Sequence, residues 1–220
     1  MNIKRVTKKE CKAPKRYAIN LLTLLQNELS TKYKFTYRLV GSAAWNTILK
    51  DPDGFYDLDY QILLTSNSKE YKTNNLTDST QIKEDFFNCI NKEFINDENI
   101  KVENSTTAIT VINKQGKFSI DFVVIKLFPQ NNLVIRRNNK EHSSINEYTW
   151  NKLPKQNEAY QKFRNLNNRQ KIDLIENYIL PRKAIEKAKD KNDNQKKTSC
   201  EIFIEEVNNY VARNSRLSRK

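Results

Sequence analysis

RLVGSAAWNTILKDPDGFYDLDY, residues Arg38 to Tyr60, carries the strongest local signals in the chain. A short apolar entry leads to a Gly41-Ser42 turn. A helix is expected from about Ala43 to Leu49, then a loop holding Pro52 and Gly54, then Asp57-Leu58-Asp59 entering an apolar strand that runs to Leu64. Side chains alternate faces along a strand, so Asp57 and Asp59 point one way and Leu58 points into the core. Two carboxylates on one face are costly without counter-charge, and a divalent metal supplies it. A Gly-Ser turn opening a helix offers free backbone N–H groups and a hydroxyl to a phosphate. Metal plus phosphate cradle points to nucleotide chemistry.

Outward from this stretch, YKFTYRLV (33–40) alternates aromatic and polar residues and predicts a strand delivering the chain to Gly41. Before it, Leu21, Leu22, Leu25 and Leu29 recur at helical spacing within a helix from Tyr17 to Leu29. The basic residues 1–16 read as a mobile tail or a first helical turn. After Leu64 comes a polar loop. Asp78, with Gln81 three residues on, opens a helix to about Ile95. Strands are expected at 100–103, 108–113 and 118–126, with a turn at 114–117 where Gly116 tolerates positive φ.

FSIDFVVIKL (118–127) is the second informative strand. Phe118, Ile120, Phe122 and Val124 share one face, and Ser119, Asp121 and Val123 the other. A lone Asp in such a strand needs a partner. Asp121 is either tied to a local Lys or Arg, or lies beside Asp57 and Asp59 as a third carboxylate.

Residues 128–154 read as a basic loop, with Tyr148 and Trp150 anchoring it to the core or stacking on a base. Ile172, Ile175 and Ile179 mark a helix that Pro181 should end or kink after Leu180. Residues 190–197 form a solvated linker. Thr198 with Glu201 makes a second capping box, opening a last helix to about Ala212 and a frayed basic tail.

The 220 residues allow one domain or a domain with an appended lobe. We expect a core over 1–130, including the basic tail 1–16, followed by a basic connecting segment and C-terminal helical lobe over 131–220. The net charge of +13 favours polyanionic partners: nucleic acid, nucleotides or an anionic surface. The charge is uneven, with nine Lys/Arg against three Glu between Leu133 and Lys171. Three well-separated cysteines, Cys11, Cys89 and Cys200, argue against a disulfide framework or zinc site and for a reducing, cytoplasmic compartment. The single histidine, His142, reads as a surface-loop residue and rules out a His-rich metal cluster. No apolar run approaches the length of a membrane span, so no membrane partner is expected.

Gly41-Ser42, fourteen residues, Asp57-Leu58-Asp59, and a later apolar strand with Asp121 together resemble the nucleotidyltransferase superfamily of DNA polymerase β. The spacing is close to that of AbiEii-type toxins. The C-terminal part is similar to the closing lobe of 2′-5′-oligoadenylate synthetases, cyclic GMP-AMP synthase and their bacterial relatives. The resemblance implies an α+β fold: a mixed sheet flanked by helices, with a C-terminal helical lobe. It implies two Mg²⁺ ions, with Mn²⁺ as a substitute, held by Asp57, Asp59 and Asp121. Asp57 and Asp59 would bridge the ions, and Asp121 would serve the acceptor hydroxyl. Gly41 and Ser42 would bind phosphates, as would Ser199 at the start of the last helix. The aromatic that usually follows this Ser and stacks on a base is Cys200 here. The Lys that holds the triphosphate in the preceding helix aligns with Glu176, leaving Lys183 or Lys171 to substitute. The implied partners are an NTP and an RNA or oligonucleotide acceptor, with a second-messenger synthase as a variant. A small-molecule nucleotidyltransferase and a non-catalytic nucleic-acid-binding module are the other readings.

Overall fold

The computed structural model describes residues 3–65, 78–127, 132–137, 147–153, 157–189 and 196–217. His142 and the loop after Leu64 lie outside these residues, as does most of the 190–197 linker.

The element order is α1 (Lys12–Glu28), β1 (Phe35–Val40), α2 (Gly41–Ala44), β2 (Tyr56–Leu64), α3 (Ser79–Glu93), β3 (Ile100–Asn104), β4 (Ala108–Asn113), β5 (Phe118–Lys126), β6 (Leu133–Arg137), β7 (Tyr148–Lys152), α4 (Asn157–Asn165), α5 (Asn168–Leu174), a π-helical turn (Ile175–Ile179), α6 (Leu180–Ala188) and α7 (Ser199–Leu217). Seven strands form one mixed sheet in the order β1-β2-β5-β4-β3, with β6 on the far end of β5 and β7 on β6. β2 and β5 run parallel at its centre, and the other pairs are antiparallel. The expected α+β fold, a mixed sheet flanked by helices with helices at the C-terminus, is therefore present.

Alternation explains the sheet. Leu58, Tyr60 and Ile62 of β2 and Ile120, Phe122 and Val124 of β5 are buried against α1 and α3, while the residues between them stay accessible. α1 contributes Leu21, Leu22 and Leu25 to this core, and α3 contributes Ile82, Phe86 and Ile90. A second apolar cluster, built on Phe163, Leu174, Ile179, Phe203 and Val207, holds the C-terminal helices together. Trp45, just after α2, packs against it, its ring 4.7 Å from Phe163.

Several expectations are corrected. The helix after Gly41 is a single turn, not a run to Leu49, because Asn46 turns left-handed (φ 56°) and the chain then extends. The extended piece pairs with the N-terminus: Val6 N–H donates to Ile48 O, and Lys50 N–H to Lys4 O. Residues 3–10 are thus a structured strap with Val6 buried, not a mobile tail. Thr7 and Glu10 cap one another reciprocally, and α1 starts at Lys12, ahead of the expected Tyr17. Residues 133–137 and 148–152, expected as loop, are strands. Val134, Ile135 and Tyr148 pack inward there, and Trp150 lies against the core. Positive φ in the 114–117 turn falls on Lys117, while Gly116 is needed for space: a Cβ there would meet the Phe118 ring at 2.5 Å. Pro181 neither ends nor breaks its helix. The π-helical turn just before it widens the hydrogen-bond ladder, and Pro181 sits at the start of α6, where no N–H is needed. α7 runs on to Leu217, past the expected end at Ala212.

Candidate active site

β2 and β5 place the acidic residues. Their register sets Asp59 directly beside Asp121 and Asp57 beside Ser119. Parallel strands about 4.8 Å apart thus present two carboxylates side by side on the face turned from the core. The Ser119 hydroxyl donates to Asp57 Oδ1, and Thr110, opposite Asp121 on β4, donates to Asp121 Oδ1 at 2.6 Å. These hydroxyls hold the two outer carboxylates aside. Among the described residues no group of three or more acidic, Cys or His side chains is drawn together tightly enough to ligate an ion as it stands. The donor set nonetheless suits a hard divalent cation: three carboxylates, one face, adjacent strands.

The electrostatics agree. Burial, then the charges of Asp121 and Asp57, push the Asp59 carboxyl up to about 6, with Lys183 pulling the other way. Asp121 is also raised, by burial first, against the hydrogen bond from Thr110. A cation placed among them would relieve both.

Gly41 is indispensable to this geometry. Its φ is +61°, and a Cβ there would stand 2.3 Å from Asp59 Oδ2. Absence of a side chain lets the Gly41-Ser42 turn approach the carboxylate. Ser42 Oγ in turn accepts from Lys183 Nζ at 2.7 Å.

Lys183 and Lys187, one turn apart on α6, reach across from the C-terminal helices. Lys183 Nζ also donates to Thr47 O, and Lys187 Nζ donates to Leu49 O. Burial lowers the Lys183 pKa to about 8, with Lys187 adding to the depression and Asp59 opposing it. A cleft of about 330 Å³ lies between the sheet and these helices. Asp57, Asp59, Asp121 and Ser42 form one wall, and Lys183, Lys187, Lys196, Lys197, Ser199 and Glu186 line the other, with Glu186 paired to Lys189 and Lys197 to Glu205.

All the expected site residues except Gly41, which backs Asp59, line this cleft. The two alternative lysine positions lie elsewhere. Lys171 donates to Arg164 O and lies over the Phe163 ring, and Glu176 pairs with Arg5. Lys187, Lys196 and Lys197 belong to the cleft and were not anticipated. Lys187 is legible only through its i, i+4 relation to Lys183. Cys200 is not without an aromatic neighbour: Tyr160 of α4 acts on its thiol, and the Tyr160 ring stacks on Phe203 at 5.1 Å.

No protein-family model matches the chain, and no curated protein does. Solved structures do. The Vibrio cholerae di-nucleotide cyclase DncV, in complex with GTP and 5MTHFGLU2, superposes with a TM-score of 0.61 at 13% identity, over 94% of this chain and 55% of that one. The STING-associated CdnE c-di-GMP synthase from Capnocytophaga granulosa gives 0.58 at 16%, over 93% and 61%. The CD-NTase CdnG from Bradyrhizobium diazoefficiens, in complex with GTP, gives 0.50 at 14%, over 74% and 43%. This chain therefore spans between about two fifths and three fifths of these neighbours. At such identity the likeness speaks for the fold: the chain has the nucleotidyltransferase fold of the cyclic-dinucleotide synthases.

Proposed function

We propose that this chain is a metal-dependent nucleotidyltransferase that moves an NMP from an NTP to a hydroxyl of another nucleotide or an RNA. The observation that carries the reading is the pairing of Asp59 with Asp121 across two parallel strands, inside a cleft whose opposite wall carries four lysines and a serine around Glu186. Three hard carboxylates facing a polycationic wall suit a substrate that is itself a metal-bound polyphosphate.

Bound at Asp57, Asp59 and Asp121, two Mg²⁺ or Mn²⁺ ions would neutralise charge on the attacking and leaving oxygens. The chain's own residues do the rest. Lys183, Lys187, Ser42 and Ser199 bind and orient the triphosphate. Gly41 keeps the backbone close to it. The acceptor hydroxyl attacks the α-phosphorus; the new P–O bond forms as the bond to the bridging oxygen of the β-phosphate breaks, and pyrophosphate leaves. Asp121, on the strand beside Asp59, takes the hydroxyl proton. A nucleotide acceptor is favoured because the neighbours of this fold named above are di-nucleotide synthases and NTP complexes. RNA remains the reading motivated by the +13 charge.

The test is incubation with each labelled NTP and Mg²⁺, with and without total tRNA, reading pyrophosphate and labelled product. Small cyclic or linear oligonucleotides without RNA are expected. Asp57→Ala and Asp121→Ala should abolish release while the melting transition persists. Near-normal turnover in either variant sinks the three-carboxylate assignment.

A further inference from the structure

The carboxylate face of the sheet continues past the acidic residues. Two residues beyond Asp59 on the same face of β2 comes Gln61, about 7 Å along the strand. Its partner on β1 is Arg38, as Val40 is the partner of Asp59. Arg38 Nε donates to Gln61 Oε1 at 2.8 Å. Because arginine has no acceptor, this bond fixes the amide: Oε1 faces Arg38 and Nε2 faces away. Among the described residues no acceptor takes Gln61 Nε2 or either Nη of Arg38. The corner is therefore an array of N–H donors with no competing carboxylate bonded to it.

The corner continues the row of Asp57 and Asp59 along β2, just outside the residues that line the cleft. Lys187 lies toward the Asp57 end, where that carboxylate acts on it, and Lys183 stands at Ser42 and Asp59. Asp59 is in the middle, and Arg38 and Gln61 are at the far end. A nucleotide laid with its phosphates on the lysines and its α-phosphate at Asp59 carries its base to this corner.

We infer that Arg38 and Gln61 form a nucleobase subsite that selects guanine. This rests on the nucleotidyltransferase reading above. The Hoogsteen edge of guanine offers two acceptors, N7 and O6, whereas adenine sets an N6 donor beside N7 and cytosine presents an N4 donor. A donor-only array accepts the first and repels adenine and cytosine, while uracil offers it a single acceptor, O4.

The test is equilibrium binding of GTP, ATP, CTP and UTP, each with Mg²⁺, to the wild type, Gln61→Glu and Arg38→Gln. Both side chains lie on the accessible face of the sheet, and melting curves check that the variants fold. In Gln61→Glu the carboxylate takes up the Arg38 fork and removes the Nε2 donors. The wild type should prefer GTP over ATP by roughly tenfold or more, the discrimination expected of a bidentate base contact. Either variant should erase that preference by weakening GTP while ATP stays within about twofold. Equal binding of all four, or a GTP preference that survives both variants, overturns the base assignment and leaves the nucleotide site standing. Failure of every NTP to bind overturns the nucleotide site and the base assignment with it.

Discussion

At the scale of single residues, the site rests on the meeting of Gly41 and Asp59. Any side chain at 41 must both adopt φ +61° and displace Asp59 Oδ2. Gly41→Ala should cost about 1–2 kcal/mol from the left-handed backbone alone, read as a lowered urea midpoint. Turnover should fall far more than stability, because the displaced group is the central carboxylate. Asp59 itself makes stability depend on pH. Its folded value is raised from 3.8 to about 6, so between those values the folded state holds more protons than the unfolded chain. Stability from this group is complete below about pH 4 and is lost as pH rises through about 6. In the absence of divalent cations, Asp59→Asn should thus be more stable than the wild type at pH 7.5, by at most about 2–3 kcal/mol. The gap should close on acidification to pH 4. A constant gap across that range, in melts run with EDTA, would show that Asp59 carries no such penalty.

At the scale of elements, what the sequence made legible follows from local rules. β4 and β5 begin and end where alternation places them, and period two puts Asp57 and Asp59 on one face; the non-local β2–β5 register brings Asp121 beside them. What stayed hidden is non-local. The single turn of α2 depends on Asn46 and on pairing with residues 4–6, forty residues away. β6 stayed hidden because its buried residues Val134 and Ile135 are adjacent and break the alternation, and β7 because only Tyr148 of its five residues is buried. The passage of the helix through Pro181 depends on a π-helical turn that no periodicity announces. The cap of α7 was legible: the Thr198 hydroxyl accepts from Glu201 N–H, while Glu201 Oε2 accepts from Thr198. Ser199 follows directly, so this cap also aims a cleft residue. Thr198→Ala should cost about 1 kcal/mol in urea unfolding, and Thr198→Ser should restore it. If Thr198→Ala melts like the wild type, α7 is held by packing against the second apolar cluster alone.

At the scale of the whole molecule, the cleft exists only while the C-terminal helices stay docked on the sheet, and loop 46–50 is the joint. Its carbonyls point both ways. Thr47 O and Leu49 O accept from Lys183 and Lys187, and Asn46 O accepts from Arg5, which also pairs with Glu176. Ile48 O accepts from Val6 N–H, and the Val6 side chain is 1% exposed in the sheet core beside Ile48. Holding the lysines with backbone carbonyls spares them carboxylate partners, so their charge stays available to an anion in the cleft. The strap therefore does two jobs, filling the core and setting the lysine anchors, and the two can be separated. Val6→Ala removes roughly two methylene equivalents and should lower stability by about 1–2 kcal/mol. Leu22→Ala, in the same core but remote from the joint, should cost about 2–5 kcal/mol. Affinity for NTP should nonetheless fall more in Val6→Ala, because only there does the loop that anchors Lys183 and Lys187 lose its backing. Binding that tracks stability, with Leu22→Ala the weaker binder, would show that the strap fills the core and nothing more.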